Sequence, residues 1–156
     1  VADLVSDGNI RVYWLTACAN IAAPTVAELN AGLRLDQNMT ADGLTRDFET
    51  ADVDLSSLSS TFDTKGIGRR GPSIGVTLKR QTGTDTLAAA LSYAAAGFLV
   101  VRDNILASTA WTIAQICEVF PAACKQGSKA YGPNTVQRLS IPMTVTADPS
   151  LAAVVA

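Results

Sequence analysis

The chain has 156 residues and a formal net charge of −2, from 12 basic and 14 acidic side chains, with no histidine and three cysteines. That length fits one domain whose core needs neither disulfides nor metal, and an acidic balance without a basic tail or stripe argues against an electrostatic nucleic-acid binder. Without histidine there is no Ser–His or Cys–His nucleophile pair, and no apolar run reaches the roughly 18 residues that would span a membrane.

Charged residues are only 17% of the chain and hydrophobic ones 48%, much of it alanine. A surface so weakly charged fits a protein partly covered by partners. Val1–Asp7 lacks the basic region and apolar core of a signal peptide, although a mature secreted chain would read the same. Cys18, Cys117 and Cys124 are odd in number and follow no framework spacing, which favours free thiols in a reducing compartment.

In chain order, Ile10–Thr16 reads as a strand, with Ile10, Val12 and Trp14 on one face and Arg11, Tyr13 and Leu15 on the other. Thr25-Val26-Ala27-Glu28 is a capping box. It predicts a short helix to Ala31, stopped by Gly32 in a left-handed cap. Leu33–Met39 reads as irregular or a short strand, and Asp42-Gly43 as a turn. Leu44–Thr50 is the next strand. Ser73–Gln81 alternates clearly, with Ile74, Val76 and Leu78 inward, which argues for an antiparallel sheet with one solvated face. Thr84 or Asp85 caps a second helix through Leu87, Leu91 and Ala95, ending at Gly97. Phe98–Arg102 is an apolar strand, and Ile113–Phe120 is another, closed by Pro121. Val136–Thr146 alternates around Pro142, which implies an edge or a bulge. Leu151–Ala156 is apolar with no element of its own, and so reads as a surface in want of a partner. Six or seven strands without βαβ alternation predict a mainly β fold: an antiparallel β-sandwich or half-barrel with a flanking α-helix.

Between two strands lies Ala51–Lys65, without glycine or proline. Loops this long are uncommon in compact domains, and this one is not a Gly/Ser linker. It keeps Val53, Leu55, Leu58 and Phe62 in a Ser/Thr background, as an arm gripping a neighbour would. Gly66-Ile67-Gly68-Arg69-Arg70-Gly71 matches the dinucleotide fingerprint, but a polar arm precedes it and Pro72 with a strand follows it. The helix that would hold a pyrophosphate is missing. Gly66 and Gly68 therefore read as the hinge of the arm.

Other motifs have bland readings. Cys117 and Cys124 fit no zinc spacing, and Cys117 reads as core. Asp52 and Asp54 share a face if extended, yet no calcium loop surrounds them. Asn38-Met39-Thr40 is a chance-prone glycosylation sequon. Arg69-Arg70 and Lys79-Arg80 read as cations for acids of an adjacent subunit, with phosphate contact as the alternative. Trp14 and Trp111 read as core or interface. No catalytic, cofactor or metal constellation survives, so the chain reads as no enzyme.

The order of several pieces is similar to the major tail tube proteins of long non-contractile-tailed (siphovirus-type) phages, especially those infecting actinobacteria. They are Arg11-Val12-Tyr13-Trp14, Ala41-Asp42-Gly43-Leu44, Ser60-Thr61-Phe62-Asp63-Thr64-Lys65, Leu78-Lys79-Arg80-Gln81 with Gly83-Thr84-Asp85, and Gly97-Phe98-Leu99-Val100-Val101-Arg102. Glu118-Val119-Phe120-Pro121 with Cys124 and Val145-Thr146-Ala147-Asp148-Pro149 leading to Ala153-Val154-Val155-Ala156 complete it. The segments Ala17–Ala22 and Lys125–Asn134 match nothing in the pattern. The resemblance implies one tail tube domain over residues 1–156, an assembly arm near 51–66 and an apolar tail near 149–156. It implies hexameric rings stacked into a virion tube, assembled in the host bacterial cytoplasm. Its partners would be other copies and the tail tip, tape-measure and tail terminator proteins, with transient passage of double-stranded DNA, no cofactor and no membrane insertion. Asp52, Asp54 and Asp63, with Arg69 and Arg70, would supply lumen or ring-interface charge. The competing readings are a tail terminator or a tube protein of another injection system, and an immunoglobulin-like binding module.

Overall fold

Every residue of Arg11–Leu15 is buried, on both faces of the strand it forms. That can happen only if the strand has a layer on each side. The computed structural model describes residues 1–156. The strands are β1 (Arg11–Leu15), β2 (Leu33–Arg34), β3 (Met39–Asp54), β4 (Lys65–Lys79), β5 (Ala96–Arg102), β6 (Ile116–Cys124), β7 (Ser128–Ala130), β8 (Arg138–Val145) and β9 (Ser150–Val154); the helices are α1 (Val26–Ala31) and α2 (Thr86–Ala90). All pairings are antiparallel. The nine strands form one sheet in the order β2-β1-β5-β6-β8-β4-β3, with β7 on β8 and β9 on β6. No helix is long and apolar enough to cross a membrane.

The sheet curls until its two halves face each other. Val12 and Trp14 of β1, Leu99 and Val101 of β5, and Phe120 and Ala122 of β6 pack with Ile74, Val76 and Leu78 of β4 and Leu139, Ile141 and Met143 of β8. Leu87 and Leu91, at α2, close this core. The opposite face of β1, β5 and β6 makes a second core of Tyr13, Leu15, Val100, Cys117 and Val119 under Leu29, Trp111, Ala153 and Val155. The expected antiparallel sandwich or half-barrel is thus present. Burying both faces of three strands explains the high apolar content better than a covered surface alone, since interior strands need not alternate in polarity.

Several elements differ from the sequence reading. The capping box is present, with Glu28 N donating to Thr25 Oγ1 at 3.2 Å and Thr25 N donating to Glu28 Oε1 at 3.3 Å. Gly32, however, is extended (φ −75°, ψ 168°), not left-handed. A Cβ there would overlap the Leu15 side chain, so glycine allows close approach to β1. Asp42-Gly43 reverses nothing; it lies in a bulge of β3 between the pairs Met39–Leu78 and Leu44–Val76, where turn-prone residues absorb the extra length. The helix α2 starts at the Asp85 cap but is over by Leu91. The alanines beyond it leave helical space, and Ala94 has φ 63°.

Neither proline behaves as expected. Pro121 does not close β6; the strand runs on to Cys124. The Pro121 carbonyl accepts from Thr146 N at 2.9 Å. An extended residue points its nitrogen and carbonyl the same way, so the missing N–H falls where β9 gives way to β8 beside β6. Pro142 is not on an edge, because β8 lies between β4 and β6. Its pairing with Gly75 continues the β4–β8 register unbroken, so β8 has no bulge there either; its carbonyl accepts from Lys125 N at 2.9 Å, at the interruption between β6 and β7, where the missing N–H leaves no partner unmet. The C-terminus is corrected too. Ser150–Val154 pairs with β6, Ala153 and Val155 are buried, and the tail seals its own core.

Candidate assembly surfaces

The strands β3 and β4 are far longer than their neighbours, and their outer halves leave the sheet as a hairpin. No residue between Thr45 and Ser73 is buried. Glu49 to Asp54 alone, at strand rise, carries the hairpin about 20 Å outward. The arm is therefore not a 15-residue loop: Ala51–Asp54 and Lys65 are already strand, and only residues 55–64 connect them. The base is fixed by Arg46, whose Nε donates to Glu118 Oε2 at 2.6 Å. Its guanidinium also lies 5.1 Å from the Phe48 ring centre.

Register decides which arm residues share a face, because opposite residues of an antiparallel pair project the same way. Val53 stands opposite Gly66, while Asp52 with Ile67 and Asp54 with Lys65 occupy the other face. Gly66 and Gly68 are not a hinge. Both lie within β4 and neither has a positive φ. A Cβ at Gly68 would come within 2.7 Å of the Ala51 carbonyl oxygen and 3.1 Å of Val53 Cγ2, and one at Gly66 within 3.1 Å of Leu55 Cδ1. The glycines let Val53 and Leu55 lie on the hairpin backbone. Leu58 and Phe62 have no such shelter and are 106% and 81% exposed.

Ile67, 89% exposed, was missed as an anchor. It was hidden inside the glycine motif, and its partner Asp52 marks a different face from Val53. A second missed patch is Ile116 with Val154, opposite each other in register and both exposed, beside exposed Ile113. Only the pairing of β9 with β6 brings them together.

The charges divide clearly. Asp52 lies 3.9 Å from Lys65 Nζ, with both side chains mostly in solvent, so the pair contributes little. Asp54 Oδ1 accepts from Ser56 N at 2.9 Å, and this bond holds its carboxyl below the usual range. Asp63 is exposed near the tip. Arg69 lies within a β4 bulge between the pairs Thr50–Arg70 and Asp52–Ile67, next to Arg70 at its edge, and neither arginine forms an ion pair. They line a shallow groove with Glu49 and Thr50. Arg80, expected to face a neighbour, instead donates to Asp85 within its own chain at 3.1 Å.

Arg102 is fully buried and organises the loop after β5. Its Nη2 donates to the carbonyls of Leu106 and Thr109 at 2.9 and 2.8 Å, and its Nη1 to Gln115 Oε1 at 3.0 Å and the Ala110 carbonyl at 3.4 Å. Burial, then the nearby Arg11 charge, push its pKa down. Trp14 and Trp111 are both core residues, as is Cys117.

The fold is a curled antiparallel sheet with a projecting hairpin whose tip exposes Leu58 and Phe62. The family described as "Phage tail tube protein" matches residues 1–156, and the chain belongs to that family. No curated protein matches it in sequence. Among solved structures, the SPP1 tail tube has a similar fold, with TM-score 0.60 and 11% identity over 96% of this chain and 79% of that one. A chain of the native gene transfer agent virion gives TM-score 0.56 and 14% identity over 94% and 97% of the two chains. A chain of the anti-feeding prophage baseplate gives 0.56 and 11% over 96% of each.

Proposed function

We propose that this chain is the subunit of a siphovirus-type tail tube. Six copies close head to tail into a ring, and rings stack into a hollow virion tube through which phage DNA passes to its host, an actinobacterium. The observation that carries this is the arm: a projecting hairpin that leaves Leu58, Phe62 and Ile67 in solvent buries none of them on its own chain, and exposed apolar clusters mark contacts. A gene transfer agent tail with the same fold was refined with C6 symmetry, which supports the sixfold ring.

Head-to-tail association uses two different patches on one chain. It yields a closed ring in one direction and an open filament in the other. The long free edge of β3 is suited to pairing with another copy, which would satisfy backbone groups that are otherwise exposed. Val53, Leu55, Leu58 and Phe62 would anchor the arm on an adjacent subunit or ring. Asp52, Asp54 and Asp63 would face the lumen or ring interface, where a non-basic lining lets DNA slide without counterion-driven binding. Arg69 and Arg70 would meet acids of a neighbouring copy. The tail tip, tape-measure and tail terminator proteins would bind the tube ends and bore, after assembly in the host cytoplasm.

Deleting residues 53–63 tests the arm. The shortened chain is expected to stay folded and monomeric by light scattering where the parent polymerises; unchanged oligomerisation would overturn its role. The anti-feeding prophage match favours one second reading, a tube protein of another injection system. A sheath gene nearby, and failure to form long tubes alone, would mark that case.

A further inference from the structure

At the β1–β5 end of the sheet two arginines stand side by side, and Arg11, held over the Tyr13 ring at 5.2 Å, brings its unbonded Nη groups to the surface while its Nε is buried. Arg11 and Arg102 stand opposite each other in register, and their guanidinium carbons lie 5.7 and 4.8 Å from the centre of the Trp111 ring. Their exposures are 6% and 0%, and that of Trp111 is 3%. Arg102 uses both Nη groups within its own loop, whereas Arg11 donates to nothing. Arg11 Nε, Arg102 Nε and Trp111 Nε1 are all buried donors without acceptors. The charged groups nearby are Arg34 and Asp36, and Asp36 is committed to Arg34 through both oxygens and to Val12 N. Three guanidiniums therefore share one carboxylate. Buried donors are satisfied in native proteins, and the surface-reaching Arg11 Nη groups give an acceptor from outside the chain a way to these three donors.

The chain carries a source. Of 14 acids, the ion pairs engage only Asp36, Glu118, Asp52 and Asp85. Asp47 and Glu49 are exposed and unpaired on β3, on the face away from Ile74 and Val76. The strand β3 ends the sheet on one side, while β1 lies at the other, covered only by the two residues of β2. Complementary charges at opposite ends of one sheet are what a head-to-tail contact requires.

We propose that Arg11, with Trp111 and Arg102, forms a carboxylate-binding site filled by Asp47 or Glu49 of a second copy of this chain. A carboxylate is acceptor-only and takes a guanidinium edge through two oxygens. The site rests on the reading that copies assemble head to tail.

Arg11→Met and Arg11→Lys test it. Arg11→Met should leave the melting temperature of the unassembled subunit nearly unchanged, because the Arg11 side chain makes no hydrogen bond within its own chain, while raising the critical concentration for assembly at least tenfold. Asp47→Asn with Glu49→Gln should raise it similarly. Arg11→Lys assemblies mixed from 14N and 15N subunits and treated with a carbodiimide should yield an inter-copy amide to Asp47 or Glu49 by mass spectrometry. Normal assembly of Arg11→Met, or no inter-copy amide, overturns the site. So does a shift of the Trp111 indole N–H resonance in unassembled subunits with millimolar inorganic phosphate and no such amide, which would assign the site to a free oxyanion. A parent chain that never assembles removes the tube reading and this site together, an outcome distinct from Arg11→Met assembling normally.

Discussion

Phe62→Ala isolates the arm from the fold. Phe62 is 81% exposed in the single chain, so its removal takes almost nothing from the core, and a surface change of this kind stays within about 0.5 kcal/mol. In a tube the same ring would be covered. Fully burying a phenylalanine side chain contributes roughly 1.5–3 kcal/mol relative to leaving it exposed. Taking about 2 kcal/mol per subunit, the critical concentration for assembly should rise roughly 30-fold. Pelleting across a concentration series gives that number, and thermal unfolding below the critical concentration gives the stability of the subunit. An unchanged critical concentration would refute the arm as an anchor. A melting temperature lowered by many degrees would refute the premise that Phe62 is free, showing that it packs within its own chain.

Other substitutions probe the fold beneath the arm. Gly97→Ala should cost roughly 1–3 kcal/mol or more, read by denaturant unfolding, because a Cβ there overlaps the Leu15 carbonyl and lies 2.7 Å from Trp14 Cζ2; parental stability would contradict that packing. Asp85 is raised by burial but lowered more by the N–H groups of Gln81 and Ala88 and by Arg80, so its carboxyl sits below the usual range. A depressed folded-state value gives stability that is present above the unfolded pKa of about 3.9 and lost as pH falls below it. Asp85→Asn should therefore flatten the unfolding curve in that acid window, and an unaltered acid limb would argue against the bond set. Burial pushes Cys117 and Cys124 up to about 11, so Ellman's reagent at pH 8 should titrate only half-buried Cys18 in the native subunit and all three thiols in guanidinium. Rapid reaction of all three in the native subunit would contradict the two cores.

Local chemistry was legible wherever one rule acted alone. The Thr25–Glu28 box, the Asp85 cap and the alternation of Leu139, Ile141 and Met143 all appear in the structure as their residues predict. The misreadings arose where tertiary pairing overrode a local signal. Pro121 looked like a strand end because its missing donor is costly inside a ladder, yet the site lies at a change of neighbours. Leu87, Leu91 and Ala95 keep helical spacing, but the turn into β5 is needed sooner. Gly66 and Gly68 carry the letters of a flexible hinge, and their use is steric. Of the candidate surface, Leu58 and Phe62 were visible as apolar residues in a polar run. Ile67, the Ile116–Val154 pair and the Arg11–Arg102 pair were not, because each depends on which strand lies opposite.

Electron microscopy of the purified protein after concentration, with its mass by light scattering, tests the central claim most directly. Hollow tubes or rings with sixfold symmetry are predicted. A monomer that persists at every concentration, even after tail-tip complexes are added, would contradict the assignment of this chain as a tube-forming subunit.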